Sequence, residues 1–218
     1  MMEAVRNGAW AKSGEWVNPY VTDGLIAMWD VDSGLGAVDS IGGVEAFGLV
    51  SRDGWLLADN LSATATFSSR PSLIVIDAVV RVFSSTSTTA TSIINAFDIY
   101  QYFGEFRSWT TGFSTRIRSF YYAVASKDEL YPFIDIVSRN THHVLYQVSS
   151  DGEKIKINNE LQDMYVYYQR DRTKNNNIVF GSNDSLVGFK SIRFYSRYLS
   201  AEEATSNYAI DKARFGLP

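Results

Sequence analysis

Along most of the chain apolar and polar positions alternate with a period of two, the mark of pleated segments with one buried side. Such segments cover 24–29, 44–50, 55–58, 63–68, 93–106, 112–124, 133–138, 144–149, 154–157, 164–169 and 178–181. Turn-forming residues separate them. The stretch 30–43 is rich in Gly and Asp, Ser150-Asp151-Gly152 signals a hairpin, and Asn158-Asn159-Glu160 signals a tight turn in which Asn159 tolerates left-handed backbone. The segment 72–83 (SLIVIDAVVRVF) differs from the rest: both faces are aliphatic, with only Asp77 and Arg81 interrupting the odd-numbered one. That pattern predicts a strand in the middle of a sheet. The tract SSTSTTATS after it predicts a solvated connection, and EFRSWTT at 105–111 predicts an exposed loop with Trp109 near its tip.

Helix signals are concentrated at the end of the chain, in GFKSIRFYSRYLSAEEATSNYAIDKARFGLP. Its first part is a strand that puts Ile192 and Phe194 on one face and Arg193, Tyr195 and Arg197 on the other. A helix then begins. Ser200 and Glu203 have the spacing of a capping box, Leu199 can staple onto Ala204, and Gly216 and Pro218 end the run. Closely spaced strands closed by one short helix predict an all-β fold, a two-sheet antiparallel sandwich or jelly roll. A chain of 218 residues fits one such domain, from Tyr20 to Pro218. Residues 1–19 have only Trp10 and Trp16 as large apolar groups and cannot form a core of their own. They are expected to be an arm, flexible or serving as an anchor whose two tryptophans dock onto a larger assembly.

Composition narrows the chemistry. The absence of cysteine removes disulfides, thiolate zinc sites and cysteine nucleophiles, and two adjacent histidines, His142 and His143, exclude a histidine-rich metal site. A net charge of −4 gives no electrostatic reason to expect nucleic acid or an anionic membrane as partner. No run of about 18 apolar residues is present, and the first residues lack the apolar core of a signal peptide, so a soluble chain without a secretion signal is expected.

Asp30, Asp32 and Gly34 invite a calcium reading, but the loop departs from the EF-hand pattern at positions five (Gly34) and twelve (Ile41), which favours turn-forming aspartates. Asp77, Asp98 and Asp135 each stand alone in an apolar strand, and Asp128-Glu129 are adjacent, so the paired acids of a glycosidase are not evident. Side by side on a strand, His142 and His143 face opposite ways, and no G-x-S-x-G elbow exists. Gly34-Leu35-Gly36 lacks the third glycine of a dinucleotide site. What remains is aromatic. With 13 Tyr and 13 Phe, most rings serve the sheets, yet Trp55, Tyr102, Trp109 and Tyr131 at loops or strand ends are candidate platforms for the apolar faces of sugars.

The closing segment resembles the carboxy-terminal signature of laminin-G-like, concanavalin A-like jelly-roll domains of gut bacterial surface proteins and of structural proteins of their phages. Phe189, Ile192, Arg193, Tyr195, Arg197, Leu199, Ser200, Glu202, Glu203, Asn207 and Tyr208 carry the resemblance, and Phe194 stands where a smaller aliphatic residue is usual. YVTDGLIAMWD at 20–30 is similar to the opening strand of those domains. The resemblance implies a non-catalytic lectin-like domain that binds cell-surface glycans, on a virion or a surface protein, and that associates with copies of itself. It leaves calcium as an alternative. Two other functions stay open: a mechanical decoration of a phage particle working through oligomer contacts, and glycoside hydrolysis with Asp77 or Asp135 as the acid.

Overall fold

A computed structural model of the chain describes residues 18–58, 62–69, 73, 75–85, 91–96, 102–109, 112–120, 133–136, 140–149, 152–162, 176–181 and 185–218. In chain order the strands are β1 (Leu25–Asp30), β2 (Ala46–Phe47), β3 (Leu49–Arg52), β4 (Trp55–Ala58), β5 (Ala63–Thr66), β6 (Val75–Ser85), β7 (Thr91–Ala96) and β8 (Tyr102–Trp109). They continue with β9 (Gly112–Phe120), β10 (Phe133–Ile136), β11 (Thr141–Ser149), β12 (Gly152–Ile157), β13 (Glu160–Gln162), β14 (Asn177–Phe180) and β15 (Ser185–Tyr195), and the helix α1 spans Ala201–Phe215. Two antiparallel sheets result. The first runs β13-β12-β11-β6-β15-β4-β3, with β1 also on β15; the second runs β10-β9-β8-β7-β14-β5-β2. The expected all-β sandwich with a short carboxy-terminal helix is the fold observed.

The closing strand is the hub of the first sheet. Along one side β15 pairs with β6 over nearly its full length; along the other, β4 takes Val187–Phe189 and β1 takes Ser191–Tyr195. Register shifts between Phe189 and Ser191, so Lys190 lies at a bulge where the neighbour changes. As its two aliphatic faces require, β6 is central, between β11 and β15.

Alternating residues fill the space between the sheets. Trp29 of β1 meets Phe180 of β14 edge-on at 5.3 Å and Phe194 of β15 at 6.1 Å, tying the two sheets together through rings. Ile76, Ala78 and Val80 of β6, Ile94 of β7 and Ala65 of β5 complete this core. A second apolar cluster, including Leu25, Met28, Val75, Leu145, Tyr195, Leu199 and Ala204, lies on the other face of the first sheet, beneath α1. The polar face expected for the closing strand is therefore not solvated: Arg193 and Tyr195 are fully buried under the helix.

Three strand assignments differ from the pattern. The segment 44–50 is split at Gly48, whose φ of 90° turns the chain out of one sheet and into the other, so that β2 pairs with β5 and β3 with β4. The segment 93–106 is two strands, β7 and β8, that pair with each other. EFRSWTT is mostly strand, because the β8–β9 ladder continues to Trp109 opposite Gly112 and sets Glu105 opposite Arg116. Its polar composition resembles a loop, but the backbone ladder between β8 and β9 runs on through it. The hairpin turn at Asn158-Asn159 has both residues at positive φ, 48° and 67°. The strand read at 164–169 lies outside the described residues.

Candidate functional site

The odd face of β6, the neighbouring strands and α1 enclose a polar network with almost no access to water. Asp77 projects from β6, His143 from β11, and Arg193 from β15 directly opposite Asp77. From the helix come Asn207 and Asp211, one turn apart and so on one face. Tyr20, on the approach to β1, closes the set. Arg193 is forked twice: Nε and Nη2 lie 3.1 and 3.0 Å from the two Asp77 oxygens, while Nη1 and Nη2 lie 3.1 and 2.5 Å from those of Asp211. Its guanidinium also sits 3.9 Å from the centre of the Tyr20 ring. His143 Nε2 is 2.7 Å from Asp77 Oδ1, Asn207 donates to Asp77 Oδ2 at 2.8 Å and to the Tyr195 hydroxyl at 2.9 Å, and Tyr20 donates to Asp211 at 2.5 Å.

Burial alone pushes the Asp77 carboxyl up, but Arg193 and His143 overcome it and hold the group well below the usual carboxylate range. Burial likewise works against the Arg193 charge, and Asp211 and Asp77 more than restore it. The Tyr20 hydroxyl is pushed well up, by burial first and by Asp211 next. Asp77, His143 and Asp211 present ligand atoms within 4.8 Å of one another, the only group of three such residues with this convergence among those described. They do not fit a metal ion, because Arg193 Nη2 already stands between the two carboxylates and supplies the positive charge they need.

Beside this network Arg214 repeats the arrangement. Its terminal nitrogens donate to Asp30 at 2.6 and 2.8 Å and to Asp32 at 2.5 Å. Asp30 also accepts from the Asp32 backbone and caps a short 3-10 turn, Val31–Ser33. The aspartates considered for calcium are thus turn-formers that hold a guanidinium.

Farther along the same face of the first sheet lies a half-buried aromatic cluster. Trp55 and Leu57 of β4, Arg81 and Phe83 of β6 and Gly188 of β15 share this face, with Leu57, Gly188 and Arg81 in one row. A Cβ on Gly188 would stand 2.6 Å from Phe83, 2.8 Å from Leu57 and 3.1 Å from Trp55, so the missing side chain is what lets the rings close over the strand. Trp55 and Phe83 meet edge-on at 5.1 Å, both half-buried. Lys190 lays its ammonium 4.2 Å from the Trp55 ring centre and donates to the Gly54 carbonyl; Arg81 lies 5.0 Å from the Phe83 ring centre. Burial lowers the pKa of Lys190 from its ordinary value, with Asp32 acting against it.

Of the residues singled out as sugar platforms, Trp55 belongs to this cluster. Tyr102 and Trp109 begin and end β8 in the second sheet, about 23 Å apart along an extended strand. Tyr131, Trp10, Trp16, Asp98, Asp128 and Glu129 lie outside the described residues. Asp135 is in β10, paired with Arg116 of β9. Asp77 has the hydrogen-bond partners expected of a lone acid on a sheet, and the structure joins it to His143, which the sequence had set aside. Phe83, Lys190 and Asp211 carry no signal of their own in the sequence pattern; Arg81 stands out only as an interruption of the β6 face, and Asn207 only as part of the family resemblance. Asn207 and Asp211, four apart on a helix that must cover Arg193, were the available signal for the network.

No protein-family model matches the chain, and no curated protein does. Solved structures do. The Trypanosoma rangeli sialidase in complex with sialic acid matches with a TM-score of 0.57 at 12% identity, covering 97% of this chain and 37% of that one. The receptor-binding domain of botulinum neurotoxin type G matches at 0.59 and 16% identity, covering 87% and 52%, and that of type D at 0.57 and 13% identity, covering 86% and 52%. The chain spans about a third to a half of the length of these proteins. At such identities the likeness defines a class by fold alone: a β-sandwich of the kind found within a sialidase and within toxin receptor-binding domains.

Proposed function

We propose that the chain is a non-catalytic, lectin-like binding module of the laminin-G-like type that recognises cell-surface glycans, carried by a phage particle or a surface protein. The observation that carries this reading is the Trp55–Phe83 pair, a half-buried apolar surface on the face of the first sheet turned away from the second, with Arg81 and Lys190 as polar neighbours. Sugars present apolar ring faces and polar rims, which such a surface matches. The likeness to a sialidase held with sialic acid and to receptor-binding domains supports it. Non-catalytic status is supported by the burial of Asp77 and Asp211, both engaged by Arg193, and of His143, engaged by Asp77, which seals all three from any substrate.

A glycan array probed with the full chain tests the proposal. Binding that disappears in Trp55→Ala is expected. Binding that is retained in Trp55→Ala removes this platform, and no binding to any glycan ends the lectin reading. No glucan turnover is expected; turnover lost in Asp77→Asn or Asp135→Asn would establish the hydrolase reading instead.

A mechanical role through contacts between copies is favoured by one observation. Phe47, on a two-residue strand at the edge of the second sheet, is 80% exposed. An oligomer by light scattering that dissociates in Phe47→Ser, with no glycan binding, would establish that reading.

A further inference from the structure

Arg81 is the least satisfied cation of the outward cluster. Its Nε is buried without a hydrogen-bond partner, its guanidinium rests on the Phe83 ring, and no carboxylate pairs with it among the described residues. Contrast the guanidinia of Arg193 and Arg214, each matched to two aspartates. Lys190, beside Trp55, donates to a backbone carbonyl; the nearby acid, Asp32, is already bonded to Arg214. An acidic chain, net −4, therefore sets beside two half-buried rings two cations that have no counter-charge of their own among the described residues.

Resting on the lectin reading, we propose that the ligand is a carboxylate-bearing sugar, its carboxylate bound by Arg81 and its ring face laid on Trp55 and Phe83. With Nε enclosed, an incoming anion meets the two terminal nitrogens, a planar fork that fits a carboxylate. Lys190 adds a point charge at the other end of the ring pair. A polyanion such as a sulfated polymer suits the site less well, because the protein as a whole repels it.

The probes are sialyllactose and lactose, which differ by the carboxylate-bearing sugar, titrated against the full chain by calorimetry. Wild type is expected to bind sialyllactose at least tenfold more tightly, and Arg81→Gln to reduce that affinity about ten- to a hundredfold, the range for a hydrogen bond to a charged group. Arg81→Lys should recover only part of it, since it keeps the charge and loses the fork. Raising the salt should weaken sialyllactose binding and leave lactose unchanged. The wild-type comparison needs no variant to fold. Equal affinity for the two sugars, or an Arg81→Gln protein with native melting behaviour and wild-type affinity, overturns the carboxylate assignment while leaving the lectin reading in place. Failure to bind sialyllactose overturns the carboxylate assignment, and only the absence of binding to every glycan on an array overturns the lectin reading with it.

Discussion

Arg193 Nη2 on the last strand lies 2.5 Å from Asp211 Oδ2 on the last helix, and both side chains are fully buried. Because Arg193 also bonds Asp77, a single guanidinium joins the helix to the central strand of the sheet. Removing it strands two carboxylates in a space that water does not reach. Arg193→Met should cost about 3–5 kcal/mol in urea unfolding, whereas adding Asp77→Leu and Asp211→Leu to it should recover much of the loss, since apolar groups of similar volume replace buried ion networks at little cost. A single substitution as stable as wild type would mean that the helix is held by its apolar contacts alone.

Acid should undo the same latch. The Asp77 carboxyl titrates below its unfolded value in the native protein, and Glu203, through Arg197 and then the Ser200 backbone N–H, is pulled down to about 2. For both, the unfolded chain takes up a proton first as pH falls. Their stabilisation is therefore fully present above about pH 5 and is lost progressively below it, through the native values. Unfolding free energy measured between pH 2 and 6 should fall steeply only on the acid side of pH 4. Asp77→Asn should shrink that fall, and an unchanged acid limb would rule Asp77 out as its source.

The helix start makes a smaller, separable contribution. The Ser200 hydroxyl accepts from the Glu203 backbone N–H at 3.2 Å, and the Glu203 carboxylate accepts from the Ser200 N–H at 2.8 Å. Leu199 and Ala204 share the cluster beneath the helix. Ser200→Ala should cost about 1 kcal/mol, which corresponds to a fall of about 2–4 °C in melting temperature for a domain of this size. A drop beyond that would place Ser200 in the buried network and not merely at the cap.

The cap, the closing strand and the central strand were legible because each rests on local rules: a spacing of three for the capping box, alternation for β15, and two aliphatic faces for β6. What lay on the second face of β15 was not. Alternation marks Arg193 as different from Ile192 and Phe194, but only the helix packing over it decides that it is buried. Alternation puts His143 and His142 on opposite faces, yet a single histidine on the Asp77 face suffices to reach Asp77 on the next strand. The split at Gly48 needs knowledge of two sheets, which no window of sequence contains. Trp55 could be chosen as an aromatic at a turn; its partner Phe83 and cations Arg81 and Lys190 come from strands 26 or more positions away, brought beside it by strand order.

That dependence on strand order makes Gly188 the sharpest probe of the aromatic surface. The three atoms nearest to a Cβ at this position are all side-chain atoms, of Phe83, Leu57 and Trp55, and the closest, at 2.6 Å, belongs to the half-buried Phe83 ring, which has to shift to make room. Shifting it separates the edge-on pair and takes Arg81 with it, because the guanidinium rests on that ring. Gly188→Ala should therefore cost about 1–3 kcal/mol from overpacking and lost ring contact together. It should also change the near-ultraviolet circular dichroism, with Trp55→Phe as the control that identifies the indole concerned. Glycan affinity should fall in the same variant although no ligand-contacting group has been removed. If Gly188→Ala keeps wild-type stability, an unaltered aromatic spectrum and full affinity, the rings do not close over the glycine, and a rigid platform at this place in the sheet has to be abandoned.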